Sequence, residues 1–228
     1  MKRFSCPLAL ILILAAPAID RSAAAPMAGF PFADENLDYS INWPSGLSLG
    51  EAHMHSRHSG ANWSFEFTVD AGIPGYQVKD TYQSAATPDF CSVSFDRNTS
   101  HGGHTASGNE TVQGTTVTRS DGPAFTVPAC VKDALALLYF ARRELGQGRV
   151  PSPQPILFGR LYNAQLEYAG ADTILIGEKP VESDKLTCTI GGHSSYTFEI
   201  WFARDAARTP LLVKAPFAVG TFSMELVR

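Results

Sequence analysis

Histidines and cysteines are the side chains in this sequence with the clearest capacity for chemistry. His53, His55 and His58 fall close together, and His101 and His104 follow later. Successive side chains of an extended strand alternate in face, so His53 and His55 share one side and form a two-ligand edge. His58 falls beyond the expected strand end, and His101 and His104 sit in a glycine-rich, hairpin-like stretch over residues 100–108. Solvated polar faces and loops account for all five, and no metal site is assigned. Gly191-Gly192-His193-Ser194-Ser195 places a histidine beside two serines, but a nucleophile elbow needs Gly-x-Ser-x-Gly on a strand-to-helix turn. The stretch reads as a hairpin loop. Paired carboxylates hydrolyse glycosides only when they face each other across a cleft at a set separation, which a sequence does not fix. Neither a phosphate-cradling glycine loop nor a dinucleotide fingerprint is present. No catalytic residue and no cofactor follows from these patterns.

The cysteines point to a compartment. Lys2 and Arg3 precede an apolar run over residues 7–16 and then small residues, the layout of a secretory signal peptide and too short to span a bilayer comfortably. The expected signal covers residues 1–24, with cleavage before Ala25 or, alternatively, after Ala18. Cys6 precedes the apolar run, whereas a lipid-modified cysteine would follow it, so the pattern is not that of a lipoprotein. Cys91, Cys130 and Cys188 remain in the mature chain, which on this reading is periplasmic or secreted, where disulfides persist. Cys91 lies in a strand-like stretch and Cys130 just before a helix, each near a proline (Pro88, Pro128), while Cys188 sits in an alternating segment where a small buried thiol is ordinary. The expected pair is Cys91–Cys130. Zinc is the rival reading, but no two cysteines are close in sequence and none has a histidine at finger spacing.

The elements that must position these residues are mostly strands. The chain has 228 residues, 44% hydrophobic and 18% charged, enough for one sizeable core in a soluble globular protein. Its formal net charge is −4, made more negative when the signal takes Lys2, Arg3 and Arg21 against Asp20 alone. Without basic clusters the chain lacks the footprint of nucleic-acid binding. From Asn36 onward, short runs of Val, Ile, Thr, Phe, Tyr and Trp alternate with Gly, Pro, Asn and Ser punctuation. Strands are expected over 37–43, 47–57, 63–69, 77–83, 90–97, 105–113, 115–119, 161–168, 173–180, 186–191, 196–203, 211–215 and 221–227, joined as an antiparallel meander. One amphipathic helix is expected over 131–145, with Asp133 at its positive end and Gly146 and Gly148 stopping it. The expected architecture is all-β with one mid-chain helix: a strongly curved antiparallel sheet, or partly open barrel, packed around the helix as a single domain over 25–228.

A strongly curved sheet has a concave side that one helix need not fill. Trp43, Trp63, Phe65 and Trp201 are the candidate ligand wall, with Tyr76, Tyr82, Phe198 and Phe202 as further aromatic supply. The competing assignment for all of them is plain core.

Three stretches resemble one bacterial family, domain of unknown function 3108. They are Phe32 to Trp43 with the turn and strand that follow, the helical run Asp133 to Arg142, and the run Phe202 to Val213 continuing through residues 219–227. The last is the most specific, a polar Asp205-x-x-Arg208-x-Pro210 turn between two strands. The resemblance implies an exported protein whose curved sheet wraps a helix, similar to the periplasmic carriers that escort lipoproteins. It carries no catalytic residue to any position.

The functional expectation is a non-enzymatic envelope protein that binds a lipid, acyl chain or glycolipid on the concave side of its sheet. A structural or interaction module in envelope assembly is the alternative from another class. A carbohydrate-active enzyme built on two unmarked carboxylates ranks below both. The expected partner is a lipid or amphipathic small molecule, with no nucleic acid and no transmembrane segment after cleavage.

Overall fold

The computed structural model describes residues 34–192, 195–217 and 220–227. The expected signal peptide and the His193-Ser194 pair lie outside the described residues. In chain order the strands are β1 (Glu35–Asn42), β2 (Ser48–Ser59), β3 (Asn62–Ile73), β4 (Tyr76–Ala86), β5 (Ser92–His101), β6 (His104–Gln113), β7 (Thr116–Arg119), β8 (Gly122–Thr126) and β9 (Lys132–Asp133). The helix α1 (Ala134–Gly146) follows, then β10 (Gln154–Leu157), β11 (Leu161–Ile176), β12 (Lys179–Gly191), β13 (Tyr196–Ala203), β14 (Pro210–Phe217) and β15 (Gly220–Leu226).

All the strands belong to one sheet, in the order β8-β7-β6-β5-β4-β3-β2-β1-β15-β14-β13-β12-β11-β10-β9. Two meanders therefore run outward in opposite directions and are welded where β1 meets β15, Tyr39 opposite Leu226 and Ile41 opposite Met224. Every pairing is antiparallel except the short parallel one between β9 and β10. The outer edges β8 and β9 do not pair, so the sheet curves strongly without closing. Alternation sets its two faces: Ala52, Met54 and Ser56 of β2 are buried inward, while Glu51 and Arg57 on the opposite face are exposed.

The second meander departs from the expected pattern. The break expected near residues 169–172 is a β-bulge, where the pairing of β11 with β12 slips between Tyr168 and Gly170. Gly170 has φ 122°, a conformation open to glycine and rare for other residues, and the strand continues through it. The turn falls at Gly177-Glu178, inside the stretch 173–180 that reads as a strand. Beyond the bulge the hairpin covers the outer face of its own sheet: Asp172 accepts from Trp201 Nε1 at 2.9 Å, and the Gly177 N–H donates to Glu225. Strands β8 and β10 are absent from the expected set because each is short and proline-bearing.

The helix starts three residues later than its periodicity implies, because Lys132-Asp133 forms β9. Asp133 is the N-cap, one oxygen accepting from Leu135 N and Ala136 N at 2.9 and 3.0 Å. Its other oxygen accepts from Ser84 and Ser92, each at 2.6 Å. Burial raises this carboxyl above the usual carboxylate range, and the four donors oppose the rise without undoing it. A disulfide joins Cys91 to Cys130 beside the cap, a constraint of up to roughly 4 kcal/mol in the chain-entropy account.

One end of the curved sheet is closed by polar contacts. Arg142 on α1 is fully buried and makes a paired contact with Glu35, at 2.7 and 2.8 Å. Its Nε donates to the carbonyls of Ala207 and Arg208, which belong to the turn between β13 and β14. Asp205 caps that turn by accepting from Thr209, Arg208 reaches Asp184 at 2.8 Å, and Tyr39 donates to Pro210 O at 2.9 Å. The Asp205-x-x-Arg208-x-Pro210 pattern is thus a clamp that fixes the helix to the sheet.

Candidate functional site

Strand β3 shows how the concave side is used. Its inward row runs Trp63, Phe65, Phe67, Val69, Ala71, Ile73. Trp63 and Phe65 are buried, Phe67 to Ala71 are half-buried, and Ile73 is 42% exposed. At the closed end α1 covers the row, with the Tyr139 ring stacked 4.2 Å from that of Phe65. Toward the other end no helix among the described residues covers it.

An apolar hollow of about 560 Å³ opens there. The helix provides its floor through Leu138 and Ala141, and both meanders provide walls, Phe67, Tyr82 and Phe95 from one and Phe198, Ile200 and Val213 from the other. A second hollow of about 520 Å³ continues to the mouth, shares Ile41, Phe217 and Phe222 with the first, and is bounded by Trp43, Ile73 and Tyr76. Trp43, Ile73, Tyr76 and Phe217 stand at or next to the ends of β1, β3, β4 and β14, which places those strand ends together at the mouth. Ile73, Tyr76 and Phe217 are all exposed large apolar side chains. Cys188 faces the inner hollow as a free, buried thiol, and burial pushes its pKa up to about 12, so it is an inert wall rather than a nucleophile.

The four aromatics named as ligand wall divide three to one. Trp43 borders the outer hollow and meets Phe222 edge to face at 4.9 Å. Trp63 and Phe65 do not border the hollows; they stack with each other and with Phe90 in the part of the core that the helix covers. Trp201 lies on the outer face, beneath Lys185 and Lys214 and bonded to Asp172. Its burial comes from the folded-back hairpin, which periodicity does not reveal. Tyr76, Tyr82, Phe198 and Phe202 do line the hollows. Phe217 and Phe222 escaped the sequence reading, although Leu211, Val213, Ala215 and Phe217 share one parity on β14. Phe158 escaped because it follows the proline-rich return.

Polar groups near this space are few. Asp80 faces inward on β4 and takes His101 Nε2 at 2.9 Å and the Tyr82 hydroxyl at 3.0 Å; burial and the Asp80 charge push the Tyr82 phenol up. Beyond Phe158 the interior holds Glu110, which is fully buried, with Arg97 at 3.8 Å. Burial raises the Glu110 carboxyl, against the pull of Arg97. At this margin Arg119 donates to Gly159 O at 2.8 Å, and Val117, Val127, Val131 and Leu157 cluster, so side chains bridge the gap between the two unpaired edges.

His53 and His55 do share a face, the outer one, with rings stacked 6.5 Å apart. Each has its own partner, Asp38 at 2.7 Å and Asn36 at 2.6 Å, and His58 rests on Trp63. Among the described residues no three His, Cys, Asp or Glu side chains gather as a metal set. Among the same residues no helix is long and apolar enough to cross a membrane.

Residues 38–227 match a family described as "Protein of unknown function (DUF3108)". Among solved structures, the chain is similar to a β-barrel-like protein of domain of unknown function DUF1849 from Brucella abortus, with a TM-score of 0.63 at 8% identity, covering 88% of this chain and 98% of that one. That likeness is one of fold. The lipoprotein LppX of Mycobacterium tuberculosis aligns at TM-score 0.28 and 10% identity over 84% of each chain, too weakly to bear on fold or function. No curated protein matches.

Proposed function

The chain belongs to the DUF3108 family of proteins of unknown function, and from its hollow interior we propose that it binds an apolar or amphipathic molecule, a lipid, acyl chain or glycolipid, in the cell envelope. The observation that carries this reading is the pair of joined apolar hollows, about 560 and 520 Å³. Each falls in the range of about 300–1,000 Å³ typical of small-molecule sites. The exposed apolar rim supports it too, since side chains such as Phe217 and Ile73 gain by meeting a ligand that covers them. The Cys91–Cys130 disulfide supports a location outside the cytosol, in keeping with the signal-like N-terminus. A filled interior with an apolar patch outside would have favoured the interaction module; the open hollow favours the ligand.

Native mass spectrometry of the protein isolated from its own envelope, followed by release into organic solvent, tests the reading. A lipid mass in near-stoichiometric amount is the expected result. Protein that arrives empty and, once delipidated, takes up no fluorescent fatty-acid probe overturns it.

A further inference from the structure

The inward face of β4 reads Val78, Asp80, Tyr82, with an acid where the alternation calls for an apolar side chain. Asp80 is 8% exposed and lies on the wall of the outer hollow, among Ile73, Val78 and Phe222. A carboxylate on an apolar wall is costly unless held by donors, and two hold it here. His101, at the end of β5 and on the same face, places Nε2 2.9 and 3.0 Å from the two carboxylate oxygens. Tyr82 donates to Oδ2 at 3.0 Å, while its ring lines the inner hollow. The acid therefore stands where the two hollows meet. His101 remains half open to the mouth, its side chain 48% exposed.

We propose that Asp80 and His101 recognise the headgroup of an amphipathic ligand whose tail lies in the inner hollow, and that this headgroup carries hydrogen-bond donors, hydroxyl or ammonium, and no negative charge. The assignment rests on the reading that the hollow takes an apolar tail. A carboxylate has about four acceptor positions, and His101 and Tyr82 leave some of them open. Nε2 of His101 is engaged with Asp80, which leaves Nδ1 as a second polar atom on the ring. The site thus accepts hydrogen bonds, and a carboxylate or phosphate brought beside Asp80 meets like charge on a poorly solvated wall. The cations nearby do not reverse this. Arg97 lies over the Phe158 ring at 5.2 Å and faces Glu110, and Lys79 is paired with Asp70 at 3.0 Å, on the outer face.

The test uses delipidated protein loaded with the uncharged dye N-phenyl-1-naphthylamine, displaced in turn by 1-monopalmitoylglycerol, hexadecylamine and palmitate. These share one tail and differ in headgroup. The glycerol ester or the amine is expected to displace the dye at concentrations about tenfold below palmitate, the equivalent of one headgroup contact. Which of the two is stronger separates a hydroxylated from a cationic headgroup. Asp80→Asn is expected to shrink the ratio severalfold; taken within each variant, the ratio cancels changes in the shared tail. His101→Gln, at a half-exposed position, gives the same reading should Asp80→Asn fold poorly. Palmitate binding as well as the other two, or a ratio unmoved in both variants, overturns the headgroup assignment while leaving the hollow intact. A wild-type protein that takes up no dye overturns both.

Discussion

Along β3 one inward row of apolar side chains meets two surroundings. Phe65 lies under the helix, 1% exposed and stacked on Tyr139, while Ile73, on the same face, stands at an open mouth. The counterpart of Ile73 across that mouth is Phe217, 56% exposed. Residue type does not distinguish the two ends. What differs is the cover, because α1 spans only the closed end, where Arg142 and the 205–210 turn hold it. The closed end buries its aromatics, and the open end leaves Ile73, Tyr76 and Phe217 exposed.

The widest separation between the two ends should come from truncating one ring at each. Phe65→Ala is expected to lower unfolding stability by about 3–5 kcal/mol, the usual range for a buried aromatic, whereas Phe217→Ala should change it by less than about 0.5 kcal/mol. Chemical denaturation measures both, and the same samples should show weaker dye uptake in Phe217→Ala. Equal losses of stability would erase the distinction.

Arg142→Met tests the clamp itself. It leaves Glu35 without its guanidinium and removes donors from two turn carbonyls, so a loss of about 3 kcal/mol is expected. If the helix is the floor of the hollow, this variant should also bind dye less well in the native baseline. Lost stability with full dye uptake would separate the clamp from the hollow.

The smallest effect belongs to the outer wall, which serves as a control for both ends. The hydrogen bond that His53 Nδ1 donates to the Asp38 carboxylate raises the His53 pKa above the ordinary histidine value, and Glu51 adds to it. The protonated form is therefore favoured in the folded state. Its contribution to stability is complete below the unfolded pKa of about 6.5 and is lost as pH rises through the folded value. NMR titration of the ring should show a midpoint above 6.5, returning toward it in Asp38→Asn, with dye uptake unchanged. A midpoint at or below the ordinary value would contradict the ion pair.

Much of the frame could be read from residues alone. Alternation in Trp63-Phe65-Phe67-Val69 marks a two-faced strand, and helical spacing marks the mid-chain helix, because both signals are local. The Gly170 bulge and the Gly177 turn were misplaced because a glycine that bends a strand and one that ends it have the same composition around them. The site was less legible. Trp201 looks like wall and lies outside, since its cover comes from a hairpin folding back. Asp80 and His101 are far apart in sequence, and only the β4–β5 register brings them together.

The weld between β1 and β15 also bears on how the molecule forms. Within each meander, successive strands pair with sequence neighbours across short turns and can zip locally. Tyr39 and Leu226 stand near opposite ends of the described chain, so their pairing closes a very long loop. Loop closure of that length is slow to reward the chain, and topologies rich in such contacts fold slowly. The two wings should therefore be formed before they are joined. Until β15 docks, Ile41 and Met224 lack each other, and the common wall of the hollow does not exist. On this order of events the hollow is the last feature to form.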